Sequence, residues 1–471
     1  MTTNGHTSDP AQAPDPRRPY PAVSRPDERA AAQERVRQFP YRFPRDPRHL
    51  GGAFTVDENR RRLLRYFYFE RRLAQALGSW TLAIPEFEVK VETGRHIFWH
   101  ADAARTLRER LTEQETRLDD IDAYRDAGID RLIEETLLAA DTPELLVGVH
   151  QVLGRALETA YRHHIDITDP VTDAPTVRAM KRILTDYEPM LAWSDAAVVA
   201  YQDGGVEETR LSQWRWHLQQ ALASVGGVNG ASTPADEPLP MRCDAAPYVR
   251  NTLPMRDLRM TTFAHTGDYD RGDGEARFAP NTYEQFRLYF LRTQRDEVDA
   301  IEAFGTFLWD IRFRDFDAEY ALARITWDEA RHTEIGHQAL AIAGYDPWEL
   351  PNRLTSSTCR GPMEPEYAMA EINLFGEVAI LKTIGRLVDE ARRRDDSMVA
   401  HIADFIRADE RTHVKKGQGI LKHMTDLSMQ DLELKTRELF SECLAGLDAT
   451  IWESGLIPIL TREEIEKLVG E

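Results

Sequence analysis

Cysteine is scarce in this chain. Three stand in 471 residues, Cys243, Cys359 and Cys443, far apart and in no CxxC pair. That excludes a disulfide framework, a zinc ribbon and an iron–sulfur ligand set, and it fits a reducing cytoplasm. Long apolar runs are missing too. No stretch reaches spanning length, and the opening MTTNGHTSDPAQAPDPRRPYPAVSRPDE lacks the apolar core of a signal peptide. The expectation is a soluble, cytoplasmic protein with no membrane partner. Positive charge is also in deficit, with 59 Lys and Arg against 79 acids and a net charge of -20. This argues against a general nucleic-acid surface, so no nucleic-acid partner is expected. No Rossmann glycine fingerprint occurs either.

What the chain does have is helical periodicity. Residues 1–52 are rich in Pro, Arg and Asp and predict a poorly ordered arm. Residues 53–225 carry apolar positions at spacings of three and four, as in LLRYFYFERRLAQALGSWTLA and PELLVGVHQVLGRALETAYRHH, and predict a first helical bundle. Residues 226–281 are dense in Gly, Pro, Asp and Asn and predict a long connection, able to wrap a bundle or cover a site. The helical period returns over 282–471 as a second bundle with a helical tail. The fold class expected is all-α, with two bundles.

The second bundle holds the chemistry. In DEARHTEIGHQAL, Glu329 and His332 are three residues apart, on one face of a helix, so both can reach one ion. ADERTHVKKG repeats the spacing with Glu410 and His413. Two helices bearing ExxH, joined by one inward Glu from each of two others, can hold a carboxylate-bridged metal pair. Glu377 lies inside the apolar run NLFGEVAILKTI, 33 residues before Glu410. Glu371 starts that run and is the weaker choice. In the first helix, RDEVDAIEAFG offers Glu297 and Glu302; Glu297 is preferred because its 32-residue offset to Glu329 nearly equals that of the other pair. Carboxylates and imidazoles suit Fe(II) or Mn(II) and disfavour copper or thiolate zinc.

This ordered set, Glu, ExxH, Glu, ExxH, resembles the ferritin-like diiron superfamily over roughly residues 284–425. The ExxAI string at Glu297–Ile301 is similar to the first iron-binding helix of bacterioferritins. AIE, DEARH and DERTHVKKG resemble a branch near the tRNA-modifying diiron hydroxylases. The resemblance implies two ferritin-like bundles, the C-terminal one carrying a dinuclear site. Glu297, Glu329, His332, Glu377, Glu410 and His413 would then be metal ligands and catalytic through the metals, with two Fe (or Mn) as cofactor and O2 as co-substrate. It further implies a non-haem diiron oxygenase acting on a small organic substrate, by C-hydroxylation or N-oxygenation, and served by an external electron donor or reductase. The alternative is a ferroxidase or iron-handling protein with no organic substrate. The chain's length, long connection and extra bundle weigh against iron storage.

Around these residues, Phe304, Trp309, Phe375 and Ile380 are candidate pocket walls. Arg331 and Arg411 are expected at the surface, with a salt bridge behind the ligands as the alternative, and Lys382 is a candidate for holding an anionic substrate. The first bundle lacks the ligand set: Thr93 stands where a Glu would align, and DYEPM has no histidine after Glu188. His96, His100, His163 and His164 are read as structural. That bundle is expected to serve as scaffold or homodimer surface, with Trp80, Trp99 and Trp216 as candidate buried aromatics.

Overall fold

The computed structural model describes residues 26–37, 50–231, 239–263 and 283–454. Residues 1–51 and 52–471 are two separate units. In the first, α1 (Pro26–Val36) is a short helix exposed along nearly all its length. The described residues of the second are mostly helical, as the periodicity predicts. Its principal helices are α2 (Val56–Trp80), α3 (Phe87–Glu113), α4 (Ala127–Leu137), α5 (142–167), α6 (Ala174–Asp203) and α7 (Glu208–Ser224). After the connection come α8 (Tyr283–Asp296), α9 (Val298–Asp310), α10 (Phe316–Ile342), α11 (Thr355–Arg360), α12 (365–393), α13 (Ser397–Met424) and α14 (Met429–Ser454). No described helix is long and apolar enough to cross a membrane.

Local signals start these helices where they are needed. Thr55 Oγ1 accepts from the Glu58 amide to cap α2, Asp315 accepts from Asp317 and Ala318 to cap α10, and Asp396 accepts from Val399 to cap α13. Packing does the rest. The buried face of α10 runs Leu322, Ile325, Glu329, His332, Gly336, Ala339. That of α13 runs Val399, Ala403, Ile406, Glu410, His413, Gly417, Ile420. Both keep the three–four alternation of a core stripe, and in both an ExxH replaces two apolar residues in mid-stripe.

The two halves meet chiefly along two helix pairs, α2 on α9 and α3 on α10. The first crossing is glycine on glycine: a Cβ on Gly78 would come within 2.5 Å of the Gly305 carbonyl oxygen, so any side chain there would force the backbones apart. One apolar cluster runs from Leu63 in α2 through Phe304 in α9 and Leu322 in α10 to Leu432 in α14. A smaller cluster, with Phe290, Leu340, Ile384 and Val399, lies among α8, α10, α12 and α13.

The connection also touches the second half. Thr262–Phe263 (β1) pairs in parallel with Asn352–Arg353 (β2), Thr262 beside Asn352 and Phe263 beside Arg353.

Candidate metal centre

Helices α9, α10, α12 and α13 bring six side chains to one buried point, and each arrives by a different local device. Glu297 sits at the break between α8 and α9, where its amide donates to Gln294 O and the chain re-forms a helix after it. The break is anchored by Arg295, fully buried, whose guanidinium donates to the carbonyls of Leu350 and Pro351 and to Asp296. Glu329 with His332, and Glu410 with His413, arise from helical spacing alone. Glu377 opens the α-helical part of α12 directly after a π-helical segment, Glu371–Gly376. Such a segment carries an extra residue and re-aims the side chains beyond it. Asn373 within it packs against Gly417 of α13, where no Cβ would fit.

All six residues are at most 7% exposed. His332 Nδ1 lies 3.0 Å from Glu297 Oε2, 3.3 Å from Glu329 Oε2 and 3.6 Å from Glu410 Oε1. His413 Nδ1 lies 3.0 Å from Glu329 Oε1, 3.2 Å from Glu410 Oε2 and 3.7 Å from Glu377 Oε2. Two donor groups result, Glu297–Glu329–His332–Glu410 and Glu329–Glu377–Glu410–His413, each with its ligand atoms within 4.8 Å of one another. Glu329 and Glu410 belong to both and turn one oxygen toward each histidine. Either group can hold a metal ion.

The donor atoms themselves fit a cation. His332 Nδ1, His413 Nδ1 and Oε2 of Glu297, Glu377 and Glu410 are buried with no hydrogen-bond partner. Unpaired buried polar atoms are costly, and five converging on one point lose that cost when a positive ion accepts them. Glu302, the other candidate on α9, is elsewhere engaged: Lys90 and Arg256 both donate to it, as does Ser357 Oγ at 2.6 Å. Glu371 accepts from Arg360 Nε at 2.5 Å.

Two residues that sequence reasoning passed over complete the centre. His332 Nε2 meets Asp409 Oδ2 at 3.3 Å, and His413 Nε2 meets Asp328 Oδ2 at 3.4 Å. Each histidine on one helix is thus oriented by the aspartate of the other helix, leaving Nδ1 to face the donors. The signal was the same in both motifs, an Asp immediately before the ligand Glu. Arg331, expected at the surface, is instead part-buried and joins Asp328 at 2.5 Å and Asp409 at 3.3 Å; Arg411 is exposed. Asp409→Ala is expected to lower metal affinity about 10- to 100-fold while leaving helix content unchanged, measured by competition with a chelator of known affinity.

Without a cation the cluster must hold protons. Burial pushes the Glu297 and Glu377 carboxyls well above the usual range. Burial also opposes ionisation of Glu410, but the Glu377 hydrogen bond and the His413 charge hold it down at about 2. His332 and His413, despite burial, are raised well above ordinary histidine by the surrounding carboxylates. Because these raised groups hold their protons to higher pH than free carboxyls and imidazoles do, and a metal must displace those protons, affinity is expected to climb with pH. Loading should release protons into a weakly buffered solution, measured with a pH-indicator dye.

A cavity of about 330 Å³ opens onto Glu297, Glu329, Glu377 and Glu410. Phe286, Phe290, Phe375, Ile380 and Ile384 give it an apolar wall. Of the expected pocket residues, Phe375 and Ile380 line it. Phe304 packs instead in the core, its ring 5.8 Å from Phe307, and Trp309 stacks edge-on to Tyr248. The side chain of Lys382 lies outside the described residues.

Comparison with protein-family models, curated proteins and solved structures returns no match.

In the N-terminal half, the residue nearest in kind to a ligand is Glu70, and it is already satisfied. It accepts from Tyr161 at 2.5 Å and Tyr187 at 2.7 Å, and meets His100 Nδ1 at 2.6 Å. His96 and His150 are buried ring against ring, with centroids 4.9 Å apart, beside Trp193. Burial pushes His150 down to about 3. Among the described residues, the only groups with metal-ligand geometry are the two that share Glu329 and Glu410. Trp80 is buried in the core, Trp99 packs partly buried against it, and Trp216 is 60% exposed.

Proposed function

We propose that the protein is a non-haem diiron oxygenase of ferritin-like type, in which Glu297 and His332 serve one iron, Glu377 and His413 the other, and Glu329 and Glu410 both. One observation carries the reading over iron handling alone: the ligand carboxylates face a cavity of about 330 Å³ that has an apolar wall, within the size range of small-molecule sites. A protein that only oxidises iron has no use for an apolar wall of Phe286, Phe290 and Phe375 beside its ligands.

The bound metals would supply O2 activation, using electrons from an external donor. The chain's own residues do the rest. Asp328 and Asp409 hold the two imidazoles in one tautomer and orientation. Gln294 donates to Glu297 Oε1 at 2.8 Å and steadies a carboxylate at the cavity edge. The apolar wall places the substrate and keeps water from the ligands.

The test is anaerobic loading with Fe(II), elemental analysis, and admission of O2 to the reduced protein with and without candidate substrates. Two irons per chain and O2 uptake matched by an oxygenated organic product are expected. Uptake that depends on added Fe(II) alone, with ferric iron as the sole product, would turn the reading to a ferroxidase.

A further inference from the structure

Two of the three cysteines, far apart in sequence, meet in space. Cys359 on α11 and Cys443 on α14 are 84 residues apart, yet the Cys443 thiol donates to the Cys359 carbonyl at 3.7 Å. The two side chains also hydrogen-bond each other, and both thiols are free. Around them Leu354, Met363, Phe440 and Leu444 make a small apolar cluster of its own. Cys359 is completely buried and Cys443 only half-buried, so a small molecule from solvent meets Cys443 first. The thiols differ in character as well. Their hydrogen bond holds the Cys443 thiol below its ordinary value, while the same bond, with burial, raises Cys359. Cys243, on the connection, is pushed up to about 11 by burial and by Glu135.

We propose that Cys359 and Cys443 form a redox modification site, which a hydroperoxide converts into a disulfide that fastens α14 to α11. The nucleophile is the Cys443 thiolate, the more exposed and more readily ionised sulfur of the pair. It attacks one peroxide oxygen and the O–O bond breaks. Cys443 is left as a sulfenic acid, and the other oxygen takes a proton and leaves as water, or as an alcohol from an organic hydroperoxide. The Cys359 sulfur then attacks the Cys443 sulfur, and its proton departs with the sulfenic hydroxyl as water. Two thiols are oxidised and one hydroperoxide is reduced. Burial suits Cys359 to the second step, since it is closed to solvent and open to Cys443. The bond bears on the cavity through α14. That helix packs on α11, on the start of α12 and on its π segment. Arg437 of α14 has its guanidinium 4.1 Å from the centre of the Phe375 ring, which lines the cavity. Fastening α14 therefore steadies the backing of that wall. The thiol pair lies outside the ligand set and does not depend on what the metals do.

The experiment treats the full, metal-free chain with hydrogen peroxide, blocks the remaining thiols with iodoacetamide and maps the peptides by mass spectrometry. Of the three thiols, Cys243 should remain free, with Cys359 and Cys443 joined in one linked peptide that dithiothreitol separates. Cys443 is expected to be consumed about tenfold or more faster than Cys243. In Cys359→Ser, Cys443 should stop at the sulfenic acid and be captured by dimedone; in Cys443→Ser, Cys359 should stay reduced. Hydrogen exchange across Met429–Ser454 should slow in the oxidised chain. A link through Cys243, a sulfinic acid on Cys443 beside a free Cys359, or three intact thiols under conditions that fully oxidise glutathione would overturn the proposal. Unchanged exchange in α14 would overturn the fastening. The peptide map of the unmutated chain decides the pairing even where a serine variant misfolds.

Discussion

Glu329→Ala is expected to strip both ions from the protein, while Glu377→Ala removes one and leaves the other. The asymmetry comes from the shared ligands. Glu329 gives one oxygen toward His332 and the other toward His413, so its loss opens both donor groups. Glu377 belongs to one group, and Glu297, Glu329, His332 and Glu410 persist without it. Elemental analysis after loading and desalting should read about two, none and one ion per chain for wild type, Glu329→Ala and Glu377→Ala. Thermal melts give a second reading. A ligand held at a thousand times its Kd adds about 4 kcal/mol of stability. The wild type should therefore melt clearly higher with metal, and Glu329→Ala at the same temperature with or without it. Equal metal content in all three proteins would sink the assignment.

Glu302→Ala should instead break the fold and spare the metals. Glu302 is completely buried and is the common acceptor of Lys90, Arg256 and Ser357. Lys90 is itself almost fully buried, and that burial lowers it to about 8 against the pull of Glu302. Removing the acid leaves two cations without their counter-charge in the interior, a change that costs about 3–5 kcal/mol. Denaturant titration should show the loss in the midpoint, and the surviving folded fraction should still load metal. If Glu302→Ala kept its stability and lost iron, Glu302 would take the place assigned to Glu297.

The six gathered residues were legible because helical spacing is rigid. Once ExxH occurs twice, the faces of α10 and α13 are fixed, and an acid inside an apolar run, as at Glu377, has few places to point. Equal offsets then favoured Glu297 over Glu302, and the structure adds the reason: Glu302 already has its cations. The features that stayed hidden depend on residues that periodicity does not rank. The break at Glu297 and the π segment before Glu377 each alter helical register by a local step, and no spacing rule announces either. Phe304 and Phe375 look alike in sequence; only the packing of α9 against α2 sends the first into the core. Cys359 lies outside the long helices, on a six-residue helix, where hydrophobic pattern carries no information about its neighbour Cys443. Asp328 and Asp409 were visible as letters, but their role needs the two helices placed side by side.

The glycine-to-glycine crossing of α2 on α9 bears on how this protein can be divided. A chain begun at residue 283 would keep all six metal-site residues and lose the partners of α9 and α10. The flank around Gly305 would be bared along with Phe304, Phe307 and Leu308, and Glu302 would lose Lys90 and Arg256 together. The helices that carry the candidate site are therefore not a portable cassette. Fusion, truncation or recombination within this chain has to carry α2 and α3 along as a foundation, and a fragment without them is expected in the aggregate rather than in the supernatant.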